Sequence, residues 1–264
     1  MKAGAPSSER WLAYREVNPR ARLRLFCFPY AGGGAAVYRG WAAVLPADVE
    51  VCPVQLPGRE GRLREEPFTR PEPLIQALAE ALAPLWDDLP FAFFGHSMGA
   101  MLSFELAREL RRRGLALPVH LFASGRRAPQ QAPREEDIHD LPEPEFIAKL
   151  RELNGTPDEV LRHAELMRLL VPLLRADFAV NETYHFVEEP PFELGISAFG
   201  GLADAEVTRE DLAAWQQHTR GRFRLRMLPG DHFFLLSARD LILEALARDL
   251  AEVPLRQSPA QPAR

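Results

Sequence analysis

Cysteine is scarce in this sequence, with only Cys27 and Cys52 in 264 residues. Two cysteines are too few for a disulfide framework or a structural zinc site. Both lie in apolar runs that we predict to be strands, so we expect buried free thiols, which suit a reducing compartment. We expect neither a metal nor a cofactor in this chain.

The sequence also lacks the features of membrane proteins and nucleic-acid-binding proteins. It has no apolar run of about 18 residues, the length of a transmembrane helix, and no apolar stretch near its N-terminus that would indicate a secretory signal. Its formal net charge is −5, whereas nucleic acids and anionic membranes attract basic surfaces. We therefore expect a cytoplasmic protein with no nucleic-acid partner and no membrane partner.

Apolar residues make up 47% of the chain, which is enough for one large core. Six short apolar runs predict strands buried on both faces, at residues 22–30, 49–57, 90–97, 119–125, 194–201 and 222–230. The stretches between them carry apolar residues at helical spacing, as at Leu102, Leu106 and Leu110. This alternation predicts an α/β fold, with a mostly parallel sheet flanked by helices.

The alternation stops between residues 126 and 193. This segment has no strand-like run, and it contains 15 acidic and 8 basic residues. We predict a helical, acidic insertion here, with residues 1–125 and 194–264 forming the core. The last 12 residues, VPLRQSPAQPAR, are rich in Pro and Gln and are predicted to be disordered.

The stretch Gly95-His96-Ser97-Met98-Gly99 has the form G-x-S-x-G, and it lies between a predicted strand and a predicted helix. A serine in such a turn is exposed above the sheet, and glycines on either side let the turn close. Free N–H groups at the start of the helix favour negative charge at the same place. We predict that Ser97 is a nucleophile and that the Met98 N–H is an oxyanion donor. The alternative is an ordinary glycine-rich turn.

A serine nucleophile needs a base and an acid that orients it. His232 follows the last predicted strand, and Asp204 follows the fifth, so the chain order is Ser97, Asp204, His232. This is the order expected on an α/β-hydrolase sheet. Asp231 is a weaker candidate for the acid because it is the immediate neighbour of His232, and Glu206 is a further alternative in the loop of Asp204.

The glycine-rich stretch FPYAGGG, residues 28–34, follows the first predicted strand. Its backbone can approach a ligand closely, and we predict that the Ala31 N–H is the second oxyanion donor. The stretch matches neither G-x-x-x-x-G-K-[ST] nor G-x-G-x-x-G, which argues against a nucleotide site.

Together, LFCFPYAGGG, LPGREGR, FFGHSMGA, ISAFGGLADAEV and LPGDHFFL resemble the standalone type II thioesterases of polyketide and nonribosomal peptide synthesis. The resemblance implies an α/β-hydrolase fold in which the insertion at 126–193 forms a helical lid. It implies an editing enzyme that hydrolyses acyl thioesters on the phosphopantetheine arms of acyl or peptidyl carrier proteins, with acyl-CoA or acyl-pantetheine as analogues. Ser97, Asp204 and His232 match the catalytic positions, and Met98 and Ala31 match the oxyanion donors.

Two other functions remain open at this stage. The same residues would serve a carboxylesterase or an acyltransferase, because the triad does not determine the substrate. A non-catalytic acyl-binding protein could also keep the fold.

An acidic carrier protein would dock on basic residues, whereas the alternative is that these residues are only a solvated surface. The candidates are Arg59, Arg62 and Arg64, Arg111 to Arg113, and Arg126 and Arg127.

Overall fold

A computed structural model describes residues 7–132, 134, 136–153, 155 and 158–253, and its centre is a six-stranded parallel sheet. The strands are β1 (Leu23–Phe28), β2 (Val49–Pro53), β3 (Phe91–His96), β4 (His120–Ser124), β5 (Gly195–Gly201) and β6 (Phe223–Leu228). Each lies within a predicted run, so the predicted α/β fold with a parallel sheet is confirmed. All but the first of the 12 C-terminal residues predicted to be disordered lie outside the described residues.

Helices follow most strands, as the alternating pattern predicts. The α-helices are α1 (Ser7–Trp11), α2 (Pro71–Ala81), α3 (Met98–Arg112), α4 (Glu143–Glu152), α5 (Asp158–Leu161), α6 (Ala164–Glu182), α7 (Arg209–Ala213), α8 (Phe234–Ser237) and α9 (Arg239–Ala251). No helix in the described part of the chain is long and apolar enough to cross a membrane.

The sheet is buried on both faces because its strands carry apolar residues at successive positions. In β1, Phe26 and Phe28 belong to the apolar cluster on one face, whereas Leu25 and Cys27 belong to the cluster on the other. Side chains alternate along a strand, so an unbroken apolar run supplies both faces. Cys27 and Cys52 are buried free thiols, as predicted.

The strand order, β2-β1-β3-β4-β5-β6, places the reactive loops together. From β1 the chain continues to β2 on one side, whereas β3 lies on the other side of β1 and leads away to β4. The loops that leave β1 and β3 therefore run in opposite directions and open a crevice at the carboxyl edge of the sheet. Ala31 follows β1 and Ser97 follows β3, so both lie at this crevice.

The turn between β3 and α3 is tightly closed around Gly95 and Gly99. A Cβ atom on Gly95 would lie 2.0 Å from the carbonyl oxygen of Gly99, and one on Gly99 would lie 2.0 Å from the carbonyl oxygen of Phe28. Both neighbours are backbone atoms and cannot move as a side chain could. The two glycines therefore let the start of α3 pack directly against the end of β1.

The segment from 126 to 193, which we call the insertion, runs between β4 and β5 and contains α4, α5 and α6. Its described residues include no strand. It has a separate apolar cluster made of Ile138, Phe146, Leu150, Leu161, Met167, Val171 and Leu174. A cluster of its own suits the predicted helical insertion, and the division into core and lid stays a prediction.

Replacement of Gly99 by alanine is expected to destabilise the protein by about 3 kcal/mol or more, because the new methyl group would overlap the backbone of Phe28. Gly61→Ala is the matched control, since a Cβ at Gly61 meets nothing within 4 Å. Urea unfolding would give the free energy of unfolding of both variants. A Gly99→Ala protein as stable as Gly61→Ala would contradict this account of the turn.

Candidate active site

Ser97 occupies the sharp turn in a conformation that non-glycine residues rarely adopt. Its backbone angles are φ 53° and ψ −114°, and its N–H donates to the carbonyl oxygen of Ser124 at 2.8 Å. Such a strained conformation persists only where the surroundings hold it. The result is a partly exposed serine, as predicted, between β3 and the first residue of α3.

Met98 is the first residue of α3, and its side chain is fully buried. N–H groups in the first turn of a helix have no partner inside the helix, and they carry its partial positive charge. The Met98 N–H is therefore placed beside Ser97 as a possible donor to an anion.

The structure brings His232 and Asp204 together from the loops after β6 and β5. His232 Nδ1 lies 2.9 Å from Asp204 Oδ2, and the Asp204 side chain is fully buried. The other oxygen of Asp204 accepts hydrogen bonds from the N–H groups of Glu206, at 2.9 Å, and Val207, at 3.2 Å. Because the carboxylate can only accept, Nδ1 of His232 carries the proton and Nε2 is left as the basic nitrogen.

The two alternative acids occupy other positions. Asp231 Oδ1 accepts a hydrogen bond from the N–H of Phe233 at 2.9 Å, and this turn holds its carboxylate next to its own chain. Glu206 contributes its backbone N–H to Asp204. Only Asp204 makes a side-chain hydrogen bond to His232 among the described residues, so the geometry favours Asp204, the first choice from the sequence.

Opposing effects act on the pKa of His232. Burial of the ring and the charge of Arg126 lower the pKa. The hydrogen bond that His232 donates to Asp204 and the charges of Glu206 and Asp204 outweigh them, so the pKa is raised above its ordinary value of 6.5. A raised pKa makes the ring a stronger base once it has lost its proton.

His96, inside the G-x-S-x-G turn, holds the loop of His232. Its Nε2 lies 3.0 Å from the backbone carbonyl oxygen of His232, and its Nδ1 lies 2.9 Å from Ser124 Oγ. Burial and the neighbouring His232 ring keep the pKa of His96 well below 6.5, so the ring is neutral. A carbonyl only accepts, so Nε2 donates, and Nδ1 must accept from the Ser124 hydroxyl.

Sequence reasoning missed this contact of His96, although the residue stands next to the predicted nucleophile. The one signal in the sequence is the apolar run FAFFGH, which ends at His96 and indicates a buried ring. The partner is a backbone atom 136 residues away, which no local pattern indicates.

The loop after β1 forms a tight turn over the carboxyl edge of the sheet. The Gly33 N–H donates to the carbonyl oxygen of Tyr30 at 2.9 Å, and Gly32 has φ +77°. Ala31 and Gly32 are the two central residues of this turn, and Ala31 lines the same cavity as Ser97 and His232. Ala31, the predicted second donor, therefore lies at the same cavity as Ser97 and His232.

That cavity has a volume of about 830 Å³, and the insertion forms much of its wall. Its apolar lining includes Ile138, Leu150, Leu153, Leu174 and Phe178. Among the hydrogen bonds of the described residues there is none between Ser97 Oγ and His232. Hydrogen bonds between catalytic groups are often long before a substrate binds and shorten in the complex, so Ser97 and His232 can still react together.

Most of the basic candidates for docking are already bound within the chain. Arg59 and Arg62 are buried, at 4% and 8% exposure, so their prediction as docking residues is wrong. Arg111 and Arg112 each lie 2.6 Å from a carboxylate oxygen of Glu189. Arg111 and Arg112 are paired in this way because arginines on a helix surface attract acidic residues of their own protein as well as those of a partner.

Arg126 and Arg127, in contrast, line the cavity that holds Ser97. Arg126 donates to Asn181 Oδ1 at 3.0 Å, and Arg127 donates to the carbonyl oxygen of Glu206 at 3.2 Å. Both are partly exposed. Their charges therefore lie at the cavity, where a charged ligand or partner would pass.

Taken together, the site offers a partly exposed hydroxyl, a buried histidine oriented by a carboxylate, and backbone N–H groups on two sides. This combination suits nucleophilic attack on an acyl carbon, followed by stabilisation of the oxyanion. A group of three or more His, Cys, Asp or Glu side chains that could hold a metal is absent from the described residues.

Known proteins resemble the chain over almost its whole length. It is 48% identical over 241 residues to the gramicidin S biosynthesis protein GrsT of Aneurinibacillus migulanus, covering 91% of this chain and 94% of the relative. The structure of RedJ, a thioesterase from the prodiginine pathway of Streptomyces coelicolor, matches with a TM-score of 0.81 and 43% identity over 94% of this chain and 91% of RedJ. BorB, a type II thioesterase from the borrelidin cluster, matches with a TM-score of 0.80 and 37% identity over 91% of this chain and 96% of BorB.

The fold of the two thioesterase structures agrees with that of this chain. The sequence model of the thioesterase domain family matches residues 23–251. The matched range contains every strand of the sheet, Ser97 and His232. The chain therefore belongs to the thioesterase domain family and is an enzyme that acts on thioesters.

Proposed function

We propose that this enzyme is an editing thioesterase that releases acyl groups from the phosphopantetheine arms of carrier proteins in polyketide or nonribosomal peptide synthesis. Ser97 is the nucleophile, His232 is the general base and acid, and Asp204 orients His232. The main support for this proposal is that His232 lines the same cavity as Ser97 and is hydrogen-bonded to the buried side chain of Asp204 at 2.9 Å.

In the first step, His232 Nε2 takes the proton of the Ser97 hydroxyl while Oγ attacks the thioester carbonyl carbon. The carbonyl oxygen becomes an oxyanion, which accepts hydrogen bonds from the N–H groups of Met98 and Ala31. The carbon–sulfur bond then breaks, and the thiol leaves with the proton that His232 had taken. The product is an ester of Ser97.

In the second step, water replaces the thiol. His232 removes a proton from the water as its oxygen attacks the acyl carbon, and the same two N–H groups stabilise the new oxyanion. Collapse returns the proton to Ser97 Oγ and releases a carboxylic acid. Asp204 stays ionised throughout, and its charge stabilises the imidazolium that forms in both steps.

The insertion supports an acyl substrate of moderate size. Its side chains Leu150, Leu174 and Phe178 give the cavity an apolar wall beside Ser97, and apolar walls with few polar groups are typical of small-molecule sites. A structure of RedJ, which is 43% identical to this chain, has a polyethylene glycol molecule bound in its active site. We therefore assign acyl selection to the insertion, acting as a lid.

An oxygen esterase or an acyltransferase would use the same reacting groups. The relatives named as type II thioesterases favour the thioester substrate over these alternatives. Hydrolysis of an acyl-pantetheine and of the matched oxygen ester, measured side by side, separates the possibilities.

The buried free thiols of Cys27 and Cys52 suit a reducing compartment, and we place the enzyme in the cytoplasm.

Ser97→Ala is expected to lower kcat for acyl-pantetheine by about 10⁴-fold or more, because the acyl-enzyme cannot form. The exposed Ser237→Ala is the matched control and keeps wild-type kcat. A fluorophosphonate probe, followed by intact mass, should label one site in the wild type and in Ser237→Ala. Wild-type turnover or labelling in folded Ser97→Ala would remove Ser97 as the nucleophile.

The pH dependence of kcat/KM is expected to reflect the raised pKa of His232. The ring must be neutral to act as a base, so activity is present above this pKa and is lost as the pH falls through it, at a value above 6.5. In Asp204→Asn the negative charge is lost while burial of the ring remains, so the acidic limb of the pH profile moves to lower pH. The plateau rate falls by about 10³- to 10⁴-fold, because His232 loses its orienting group.

Two variants control this experiment. Asp231→Asn should leave both the limb and the plateau unchanged, because its carboxylate contacts Phe233. Glu206→Gln should move the limb slightly to lower pH and keep the plateau, since Glu206 acts on His232 through charge. A plateau lost in either control and kept in Asp204→Asn would reassign the acid.

Arg127→Glu is expected to lower kcat/KM for an acyl group on a carrier protein by about tenfold, since carrier proteins are acidic and charges at an interface affect association. For acyl-pantetheine the change should stay within about twofold. Arg126 is left intact because its charge lowers the pKa of His232. The exposed Arg20→Glu is the matched control. Equal losses on both substrates would argue against docking at Arg127.

A further inference from the structure

A buried ion pair joins the insertion to the loop that carries Ala31. Arg59 and Asp177 are exposed by only 4% and 2%. Two parallel hydrogen bonds connect them, from Arg59 Nη1 to Asp177 Oδ2 at 2.8 Å and from Nη2 to Oδ1 at 2.7 Å. The two residues are 118 positions apart, and Asp177 belongs to α6 of the insertion.

The pair also binds the backbone of the loop after β1. Asp177 Oδ2 accepts a hydrogen bond from the Gly32 N–H at 2.7 Å, and Arg59 Nη1 donates to the carbonyl oxygen of Gly33 at 2.9 Å. The loop is thus held at two peptide groups, one through a donor and one through an acceptor. Charge-assisted hydrogen bonds of this kind are stronger than neutral ones.

The loop needs such support because its own conformation is easily changed. In the turn from Tyr30 to Gly33, φ is positive at Gly32 and not at Ala31, which defines a type II turn. Rotation of the peptide group between Ala31 and Gly32 would convert it to another turn type. The N–H of that peptide group is the one that Asp177 binds, so the carboxylate fixes its orientation.

Helix α6 contacts the same turn through an apolar side chain. A Cβ atom on Gly32 would lie 2.6 Å from Leu174 Cδ2, so the helix packs directly on the glycine. Leu174 also lines the cavity. One helix therefore forms the wall of the cavity and fixes the turn beside the nucleophile.

We infer that Arg59 and Asp177 are positioning residues that couple the insertion to the oxyanion hole. The Ala31 N–H is correctly placed only while α6 is seated on the loop through this ion pair. The inference rests on the proposed function, in which Ala31 is an oxyanion donor. It makes the insertion part of the catalytic arrangement as well as a cover for the substrate.

The test is Asp177→Asn, which keeps the size of the side chain and an oxygen for the Gly32 N–H but removes the charge that binds Arg59. We expect kcat for acyl-pantetheine to fall by about 10- to 100-fold, somewhat less than for the full loss of an oxyanion donor, with KM within about threefold. Titration with a fluorophosphonate counts the folded active sites, so kcat is expressed per site. Arg59→Lys keeps the positive charge and should show the same pattern more weakly.

Asp211→Asn is the matched control. Asp211 is 1% exposed and forms two hydrogen bonds with Arg134 of the insertion, at 2.9 and 2.6 Å, away from the loop after β1. It should keep kcat within about threefold even if its melting temperature falls. An Asp177→Asn enzyme with wild-type kcat per site would overturn the inference and leave the pair a purely structural contact.

Hydrogen exchange makes the test independent of the proposed function. In Ser97→Ala protein, which need not be active, Asp177→Asn should speed amide exchange in the peptide covering residues 29–36, whereas Asp211→Asn should not. Unchanged exchange in that peptide would overturn the coupling even if the proposed function holds. If the wild-type enzyme failed to hydrolyse acyl thioesters, the proposed function would fail while faster exchange could still support the coupling.

Discussion

The contact between the start of α3 and the end of β1 is the constraint on which the site depends. It exists because Gly99 has no Cβ atom, since one would lie 2.0 Å from the carbonyl oxygen of Phe28. The contact forces the chain to turn sharply at Ser97, where φ is 53°. It also brings the first turn of α3 next to the loop after β1, which carries Ala31.

The same turn also contacts the loop that carries His232. His96 precedes Ser97, and its neutral ring links Ser124 at the end of β4 to the backbone carbonyl of His232 in the loop after β6. A charged His96 would be placed beside the His232 ring, and burial of the His96 ring prevents that charge. The residues of the turn therefore place Ser97 directly and His232 indirectly.

The sequence predicted much of this arrangement because strands buried on both faces leave unbroken apolar runs. All six strands were located in that way, and the chain order of Ser97, Asp204 and His232 follows from the order of strands in a parallel sheet. The ion pairs could not be predicted. Arg59 is a buried partner of Asp177, and Arg111 is bound to Glu189, but in sequence both look like surface arginines. Which carboxylate an arginine meets depends on the packing of elements far apart in the chain.

Under the proposed function, helix α6 would link the choice of acyl group to the rate of its release. Leu174, Asp177, Phe178 and Asn181 are spaced by three and four residues, so they share one face of the helix. Leu174, Phe178 and Asn181 line the cavity, whereas Asp177 binds the loop of Ala31. A shift of α6 that enlarged the cavity for a longer acyl chain would also pull on that loop. Variation in acyl preference is therefore easier to achieve by changing side chains on this face than by moving the helix.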